Sequence, residues 1–145
     1  GSWMAETFLV DASFLVPAIR SSHEFHLPCY TFAEDHRDAK WIIPNLAIFE
    51  FQATQSRRNR GDNDSREPYR HIYLENAVPY EVGPELTKKA WDLDLFNRFD
   101  RLKGADLVYA CIAKIENVPL VTRDNDFSRY SEEITIINPV TDSDF

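Results

Sequence analysis

The chain has 145 residues, of which 43% are hydrophobic and 13% aromatic, so it can bury the core of one ordinary domain and is not a disordered segment. Aspartate and glutamate number 24 against 16 lysine and arginine, for a formal charge of −8. A protein that binds nucleic acid through phosphate contacts alone is normally basic. The composition therefore excludes that simple class, unless the acids serve another purpose such as holding metal ions.

The cysteine content and the apolar runs limit the cellular context. The two cysteines, Cys29 and Cys111, form no zinc pattern and suit a reduced cytosol, so a cytoplasmic protein is expected. No apolar run approaches the roughly 20 residues of a membrane span, and no secretory signal is evident. Residues 1–3 are interpreted as the remnant of a cleaved tag before Met4, and residues 4–145 as a single domain.

Short β-rich runs alternate along the chain with longer helical ones. In chain order, the pattern predicts a strand at 8–10, helices at 13–19 and 27–37, a strand at 41–43, and a helix opened by Pro44 and ending at Arg57 or Arg58. A charged loop at 57–70 follows, then a helix at 72–76, a strand at 80–82, helices at 84–99 and 104–115, and strands at 119–122 and 134–137. This alternation indicates an α/β fold with a mainly parallel sheet of about five strands and helices on both faces.

Acidic residues follow two of the predicted strands. Asp11 comes directly after the first strand, and Asp124 and Asp126 come after the fourth. In an open parallel sheet, ligands bind at the carboxyl ends of the strands, where the strand order reverses. If these two strands are neighbours, their carboxylates meet in one crevice.

Two further acids lie within predicted helices, on faces that look buried. The helix face of Glu50 also carries Leu46, Ala47, Ala53 and Thr54. The helix face of Asp106 also carries Tyr109, Ala110 and Ala113. A buried carboxylate is costly unless it is neutralised, and Mg²⁺ or Mn²⁺ bound by carboxylate oxygens would neutralise a cluster of them. The four acids are therefore candidate metal ligands.

Each acid taken alone has a simpler explanation. Asp11 could cap the helix that follows it, and Asp124 or Asp126 could cap a short helix at 125–130. Asp106 could be a first-turn aspartate favoured by the helix dipole, whereas Glu50 sits mid-helix and could be incidentally exposed or paired.

Four sequence signatures together resemble the PIN-domain family, particularly the single-domain VapC-like toxins of toxin–antitoxin pairs. They are an apolar strand followed by Asp-Ala-Ser at 8–13, a strand, proline and Glu-bearing helix at 42–52, Gly-Ala-Asp opening a helix at 104–113, and Pro-Leu-Val-Thr-Arg-Asp-Asn-Asp-Phe at 119–127. The resemblance extends over nearly the whole chain, from Phe8 to about Pro139. It implies an α/β/α sandwich with strand order 3-2-1-4-5.

The resemblance also implies a function and a set of site residues. The family's acidic quartet corresponds to Asp11, Glu50, Asp106 and Asp124. Asp126 matches an additional acid of varying role, and Ser13 and Thr122 match polar residues that contact the site or orient its acids. Members are Mg²⁺- or Mn²⁺-dependent endoribonucleases, usually homodimers, and the toxins are inhibited by a small antitoxin protein. The chain is thus expected to hydrolyse RNA phosphodiester bonds with a metal-activated water, through one ion or two.

Two alternative functions remain at this point. The fold could be a catalytically silent PIN-like module that binds RNA or protein. It could also be another metal-dependent phosphohydrolase, such as a response-regulator receiver, but no lysine follows residues 134–139 as that site would need.

The basic residues are candidates for RNA contacts. Arg57, Arg58 and Arg60 form the densest basic patch, which is either a solvated helix end or a clamp on the RNA backbone. Arg123 and Arg129 flank the acidic motif and could touch phosphate. His23 and His26, with Cys29 nearby, are interpreted as ordinary surface residues, because a zinc site needs three or four ligands. Stretch 57–70 is longer and more basic than the resemblance requires, so substrate choice does not carry over.

Overall fold

The structure, a computed structural model, describes residues 6–58 and 76–142. Its strands are β1 (Thr7–Val10), β2 (Lys40–Pro44), β3 (Ala77–Tyr80), β4 (Leu120–Val121) and β5 (Ile136–Ile137). Its helices are α1 (Ala12–Ile19), α2 (His26–Asp35), α3 (Asn45–Arg58), α4 (Pro84–Asp92), α5 (Leu95–Arg98) and α6 (Gly104–Glu116), and a 3₁₀ helix spans Asn125–Tyr130. None of these helices is long and apolar enough to cross a membrane.

The five strands form one sheet in the order β3-β2-β1-β4-β5, and every neighbouring pair is parallel. Leu9 at the centre of the sheet is in register with Ile42 on one side and with Leu120 on the other. Successive strands run outward from β1 in one direction and then from β4 in the other, so the order reverses between them. The predicted parallel α/β fold, its strand order and the crevice between β1 and β4 are confirmed.

An aromatic cluster fixes α1 and α2 on the sheet. Trp41 of β2 stacks on Phe14 of α1, with ring centroids 5.9 Å apart and 4° between their planes. Phe32 of α2 meets both rings edge-on, and all three side chains are at most 3% exposed. Because Phe14 is three residues after Asp11, this packing also fixes the carboxyl end of β1, where the first candidate ligand lies.

Three predicted element boundaries are wrong. Pro44 does not open α3 but ends β2, where proline, lacking an N–H, cannot continue the ladder. The third strand is Ala77–Tyr80 rather than 80–82, in register with β2. The predicted helix at 84–99 is divided in two, because Asp94 adopts a left-handed conformation with φ 58°. Of the predicted helix at 72–76, all but Asn76 lies outside the described residues.

Candidate active site

Asp11 lies at the carboxyl end of β1 and is 3% exposed. Its Oδ1 accepts hydrogen bonds from the Phe14 amide at 3.2 Å and from the Ser13 hydroxyl at 2.7 Å, and its Oδ2 accepts one from the Thr122 hydroxyl at 2.6 Å. The amide bond is the helix cap that the simpler explanation predicted. Capping involves only Oδ1, however, and the contact with Thr122 connects Asp11 to the neighbouring strand end.

Ser13 and Thr122 connect Asp11 to the loop that carries the other acids. Each hydroxyl has one proton, which it donates to the Asp11 carboxylate, so its oxygen is left to accept. The Ser13 oxygen accepts from the Arg123 amide at 2.9 Å, and the Thr122 oxygen accepts from the Asp124 amide at 3.0 Å. The two side chains thus position Asp11 relative to the loop after β4.

Asp106, Asp124 and Asp126 form the tightest acidic group among the described residues, with one oxygen of each lying within 4.8 Å of the others. Asp106 comes from the first turn of α6, whose inward face carries the buried side chains of Tyr109, Ala110 and Ala113. Asp124 caps the 3₁₀ helix, because its Oδ1 accepts from the Asp126 amide at 2.8 Å. Asp126 is exposed, whereas Asp106 and Asp124 are half-buried.

The acids raise one another's proton affinity. The pKa of Asp11 is raised to about 6, because burial and, to a smaller extent, the charge of Glu50 outweigh the hydrogen bonds that lower it. Burial raises the pKa of Asp106 to about 7, and the contact with Asp124 and the charges of Asp11 and Asp126 add to the effect. These couplings place Asp11 electrostatically between Glu50 and the Asp106 group.

The donor set fits a hard divalent cation. Three converging carboxylates offer only oxygen ligands, which Mg²⁺ and Mn²⁺ prefer, and a cation there would relieve the mutual repulsion. Soft ligands do not contribute, since burial raises the thiol pKa of Cys29 and of Cys111 to about 11. His26 Nδ1 contacts the Pro17 carbonyl at 2.7 Å, and His23 Nδ1 accepts from the Phe25 amide, so these nitrogens serve local backbone bonds.

Glu50 is held by a residue that the sequence interpretation did not identify as part of the site. The phenol of Tyr109 on α6 donates to Glu50 Oε1 at 2.5 Å. Burial and the neighbouring Glu50 raise the Tyr109 pKa, so the phenol keeps its proton and remains a donor. Its position three residues after Asp106 on one helix face was the available signal. Glu50 itself is half-buried, and the face it shares is buried at Ala47 but exposed at Ala53, so it opens onto a groove.

That groove, which we call the Arg123 cavity, has a volume of about 460 Å³. It is lined by Ser13, His23, Glu50, Thr54, Arg57 and Arg123. Of the predicted RNA-binding residues, it therefore brings Arg57 and Arg123 beside Glu50. The side chain of Arg58, and the whole of Arg60, lie outside the described residues.

The position of Arg123 depends on a proline within α1. Pro17 has no N–H to donate to the backbone carbonyl of Ser13, four residues earlier, so this carbonyl oxygen lacks its usual donor within the helix. Arg123 Nε donates to that oxygen at 2.5 Å, and its guanidinium carbon lies 5.0 Å from the centroid of the Phe25 ring. The guanidinium is thus held at the wall of the cavity before any ligand arrives.

Comparisons with known proteins place this geometry in a family. The sequence profile of the PIN domain matches residues 8–133 of the chain, whereas no curated protein sequence matches it. Among solved structures, VapBC2 from Rickettsia felis bound to a promoter DNA fragment is 19% identical, with a TM-score of 0.67 over 91% of this chain and 98% of that one. The Mycobacterium tuberculosis toxin VapC20, described as cleaving the sarcin–ricin loop, is 17% identical, with a TM-score of 0.66 over 85% and 94%. A Klebsiella pneumoniae toxin–antitoxin complex is 15% identical, with a TM-score of 0.64 over 90% and 96%.

Proposed function

The chain belongs to the PIN domain family, and on that basis we propose that it is a Mg²⁺- or Mn²⁺-dependent endoribonuclease that hydrolyses RNA phosphodiester bonds. The observation that carries the proposal is the group of Asp106, Asp124 and Asp126, whose oxygens lie within 4.8 Å of one another at the carboxyl edge of the sheet. Asp11 and Glu50 continue this group toward the Arg123 cavity, and we call the five acids together the acidic row. A complete acid set of this kind has no use in a catalytically silent module, which makes that alternative the weaker one.

The aspartates of the row share one task in this proposal, which is to hold the metal ion. Asp11, Asp106 and Asp124 would be the main ligands of the cation, and Asp126 would add a fourth carboxylate at the exposed edge. When bound, a divalent cation would lower the pKa of an attacking water and stabilise the charge that develops on the phosphate. Ser13 and Thr122 keep the Asp11 carboxylate in one orientation through their two hydroxyl bonds.

Glu50 and Arg123 act on the substrate itself. Hydrolysis joins the water oxygen to phosphorus, breaks one P–O ester bond and leaves a proton on the departing oxygen. Glu50, oriented by Tyr109, would accept the proton that the water loses. Arg123 offers its remaining N–H groups to a phosphate in the cavity, and Arg57 adds a second positive charge there.

The proposal includes a biological setting. The similar solved structures include a toxin–antitoxin complex and a toxin described as cleaving the sarcin–ricin loop, which supports the toxin of such a pair as the role of this chain. A small antitoxin protein, a second copy in a homodimer and a cytoplasmic RNA target are the partners that this setting requires.

The deciding experiment compares Asp11→Asn with the wild-type protein on a structured RNA. The wild type should cleave with Mg²⁺ or Mn²⁺ and stop in EDTA. Asp11→Asn should lose at least about 100-fold in rate, because metal-assisted water activation is worth several kcal/mol. Since asparagine caps a helix about as well as aspartate, the variant should remain folded and as stable as the wild type or more so.

Asp92→Asn provides the matched control, because Asp92 is an exposed acid at the end of α4. It removes the same charge and should leave cleavage unchanged. An Asp11→Asn protein that cuts at the wild-type rate with the same metal requirement would overturn the proposed function. A wild type that cleaves no RNA and binds no Mn²⁺ in calorimetry would favour the silent module instead.

A further inference from the structure

A second basic groove adjoins the acidic row at Asp126, whereas the Arg123 cavity adjoins it at Glu50. We call it the Arg129 groove; it has a volume of about 450 Å³ and is lined by Arg101, Asn125, Asp126, Ser128 and Arg129. It shares no lining residue with the Arg123 cavity, whose acidic member is Glu50. The acidic row thus has one cavity at Glu50 and another at Asp126.

The two arginines of this groove present their side chains to solvent. Arg101 and Arg129 are exposed, and neither forms an ion pair within the described parts of the chain. Arg98, one turn before Arg101, pairs with Glu133 at 2.8 Å. Although the chain has a net charge of −8, these two guanidinium groups are therefore available to bind an anionic ligand.

Hydrogen bonds fix the backbone of the groove wall at Arg101. The Arg101 amide donates to the Tyr130 hydroxyl at 2.9 Å, and that hydroxyl donates to the Asp100 carboxylate at 3.1 Å. The Tyr130 ring packs edge-on against buried Phe99, with centroids 5.2 Å apart. The Arg101 backbone is therefore held to the 3₁₀ helix that carries Arg129, so the two cations stay on one surface.

A polyanion that reaches the acidic row has to overcome its negative charge. An isolated phosphate in the Arg123 cavity would gain cations on one side only, whereas a strand that continues past Asp126 would meet Arg101 and Arg129. Basic grooves that follow the backbone are how proteins hold single-stranded nucleic acid without reading its sequence. The polar side chains of Asn125 and Ser128 suit the same phosphate and sugar oxygens.

We propose that the Arg129 groove binds backbone phosphates of single-stranded RNA on one side of the cleaved bond, while the Arg123 cavity holds the strand on the other side. The proposal rests on the proposed function, because the acidic row between the two grooves is taken as the place of cleavage. Arg101 and Arg129 act as substrate-binding residues that set the direction in which the strand crosses the acids.

The first test measures the salt dependence of RNA binding in an Asp11→Asn background, which prevents cleavage. The probe is a labelled single-stranded RNA of about 20 nucleotides, longer than one small domain covers. In the Arg101→Ala, Arg129→Ala double variant, the magnitude of the log–log salt slope should fall by about 0.7 for each lost phosphate contact. Arg98→Ala removes one positive charge, which Glu133 already neutralises, and should leave the slope unchanged. Mn²⁺ affinity should be the same in all three proteins.

The second test shortens the RNA from either end of the stretch that the protein protects from hydroxyl radicals. Truncation at one end should weaken RNA binding by the Asp11→Asn protein but leave the affinity of the double variant unchanged, since the double variant has already lost its contacts there. The other truncation should weaken both equally. An unchanged salt slope, or two truncations that cost the double variant as much as the parent, would overturn the Arg129 groove. A wild type that fails to cleave RNA with Mn²⁺ would overturn the proposed function, while the slope would still decide whether the groove binds phosphate.

Discussion

At the scale of single residues, the carboxylates of the site combine structural and chemical roles. Asp11 caps α1 through Oδ1 and reaches Thr122 through Oδ2, and Asp124 caps the 3₁₀ helix through Oδ1. Capping and metal binding are therefore compatible explanations, because a carboxylate has two oxygens with about four lone pairs. What distinguishes the site is the convergence of these caps with Asp106, which caps nothing in α6.

Among the described residues, the buried side chain of Tyr109 donates the hydrogen bond that holds Glu50, and this leads to a prediction for Tyr109→Phe. Loss of the phenol removes the donor that holds Glu50 Oε1. We expect the free energy of unfolding to fall by about 1 kcal/mol, below the usual range for a bond to a charged group, since half-buried Glu50 can still be hydrated. We also expect kcat for RNA cleavage to fall more than KM changes, because Glu50 loses its orientation. Urea denaturation and steady-state kinetics measure the two effects.

Tyr80→Phe is the matched control for this substitution. Its phenol also donates to a glutamate, Glu116, but at 3.3 Å on the exposed surface. This change should alter stability by less than about 0.5 kcal/mol and leave cleavage unchanged. Equal effects of the two substitutions would mean that the Tyr109 contact has no special role.

At the scale of elements, two backbone details place the site. Pro17 leaves the Ser13 carbonyl within α1 without its helical donor, and Arg123 donates a hydrogen bond to it instead. Gly104 begins α6 in a left-handed conformation, with φ +53°, two residues before Asp106. Both are local departures from regular helix, and each sets the position of a charged side chain that the proposed reaction uses.

The start of α6 gives a prediction for Gly104→Ala. An alanine Cβ would meet no atom within 4 Å, so any cost comes from the left-handed backbone itself. That conformation costs a non-glycine residue about 1–2 kcal/mol, and reduced freedom of the unfolded chain offsets part of it. We therefore expect a loss of about 1 kcal/mol in urea denaturation.

Gly83→Ala is the control for this backbone effect. Gly83 precedes α4 with φ −150°, which alanine adopts freely, and a Cβ there also meets no atom within 4 Å. This variant should be neutral or more stable by up to about 1 kcal/mol. If both variants were equally stable, the left-handed turn would not determine how α6 begins.

At the scale of the whole molecule, the acidic row makes the metal-free protein sensitive to pH. The pKa of Asp11 is raised to about 6 and that of Asp106 to about 7, from 3.8 in both cases. Between the ordinary and the raised values, the folded chain binds more protons than the unfolded chain, so these groups stabilise the fold at low pH and lose that effect as pH rises. The row therefore works against folding near neutral pH unless a cation is bound.

This sign gives a prediction for thermal melting in EDTA. From about pH 5 to about pH 7.5, the contribution of the two carboxyls should lower Tm, and saturating Mn²⁺ should remove most of that decrease. Asp106→Asn should show a smaller decrease in EDTA, because one of the two raised groups is gone. A Tm that is indifferent to Mn²⁺ at about pH 7.5 would contradict the prediction.

The sequence by itself determined the elements and the identity of the acids. Short apolar runs and helical spacing are local properties, so strands and helices could be predicted within a few residues of their bounds. Asp11 and Asp124 stood out because they follow strands, and the four ordered signatures indicated the family and, with it, the strand order.

Only the tertiary structure decided which of these groups meet and what surrounds them. The contact of Tyr109 with Glu50 joins residues 59 positions apart, and that of Arg123 with the Ser13 carbonyl joins residues 110 apart. The pairing of Arg101 and Arg129 along one groove likewise depends on how the 3₁₀ helix packs. Local periodicity carries no signal for such pairs, because their distance is set by the packing of separate helices against the sheet rather than by the chain between neighbouring residues.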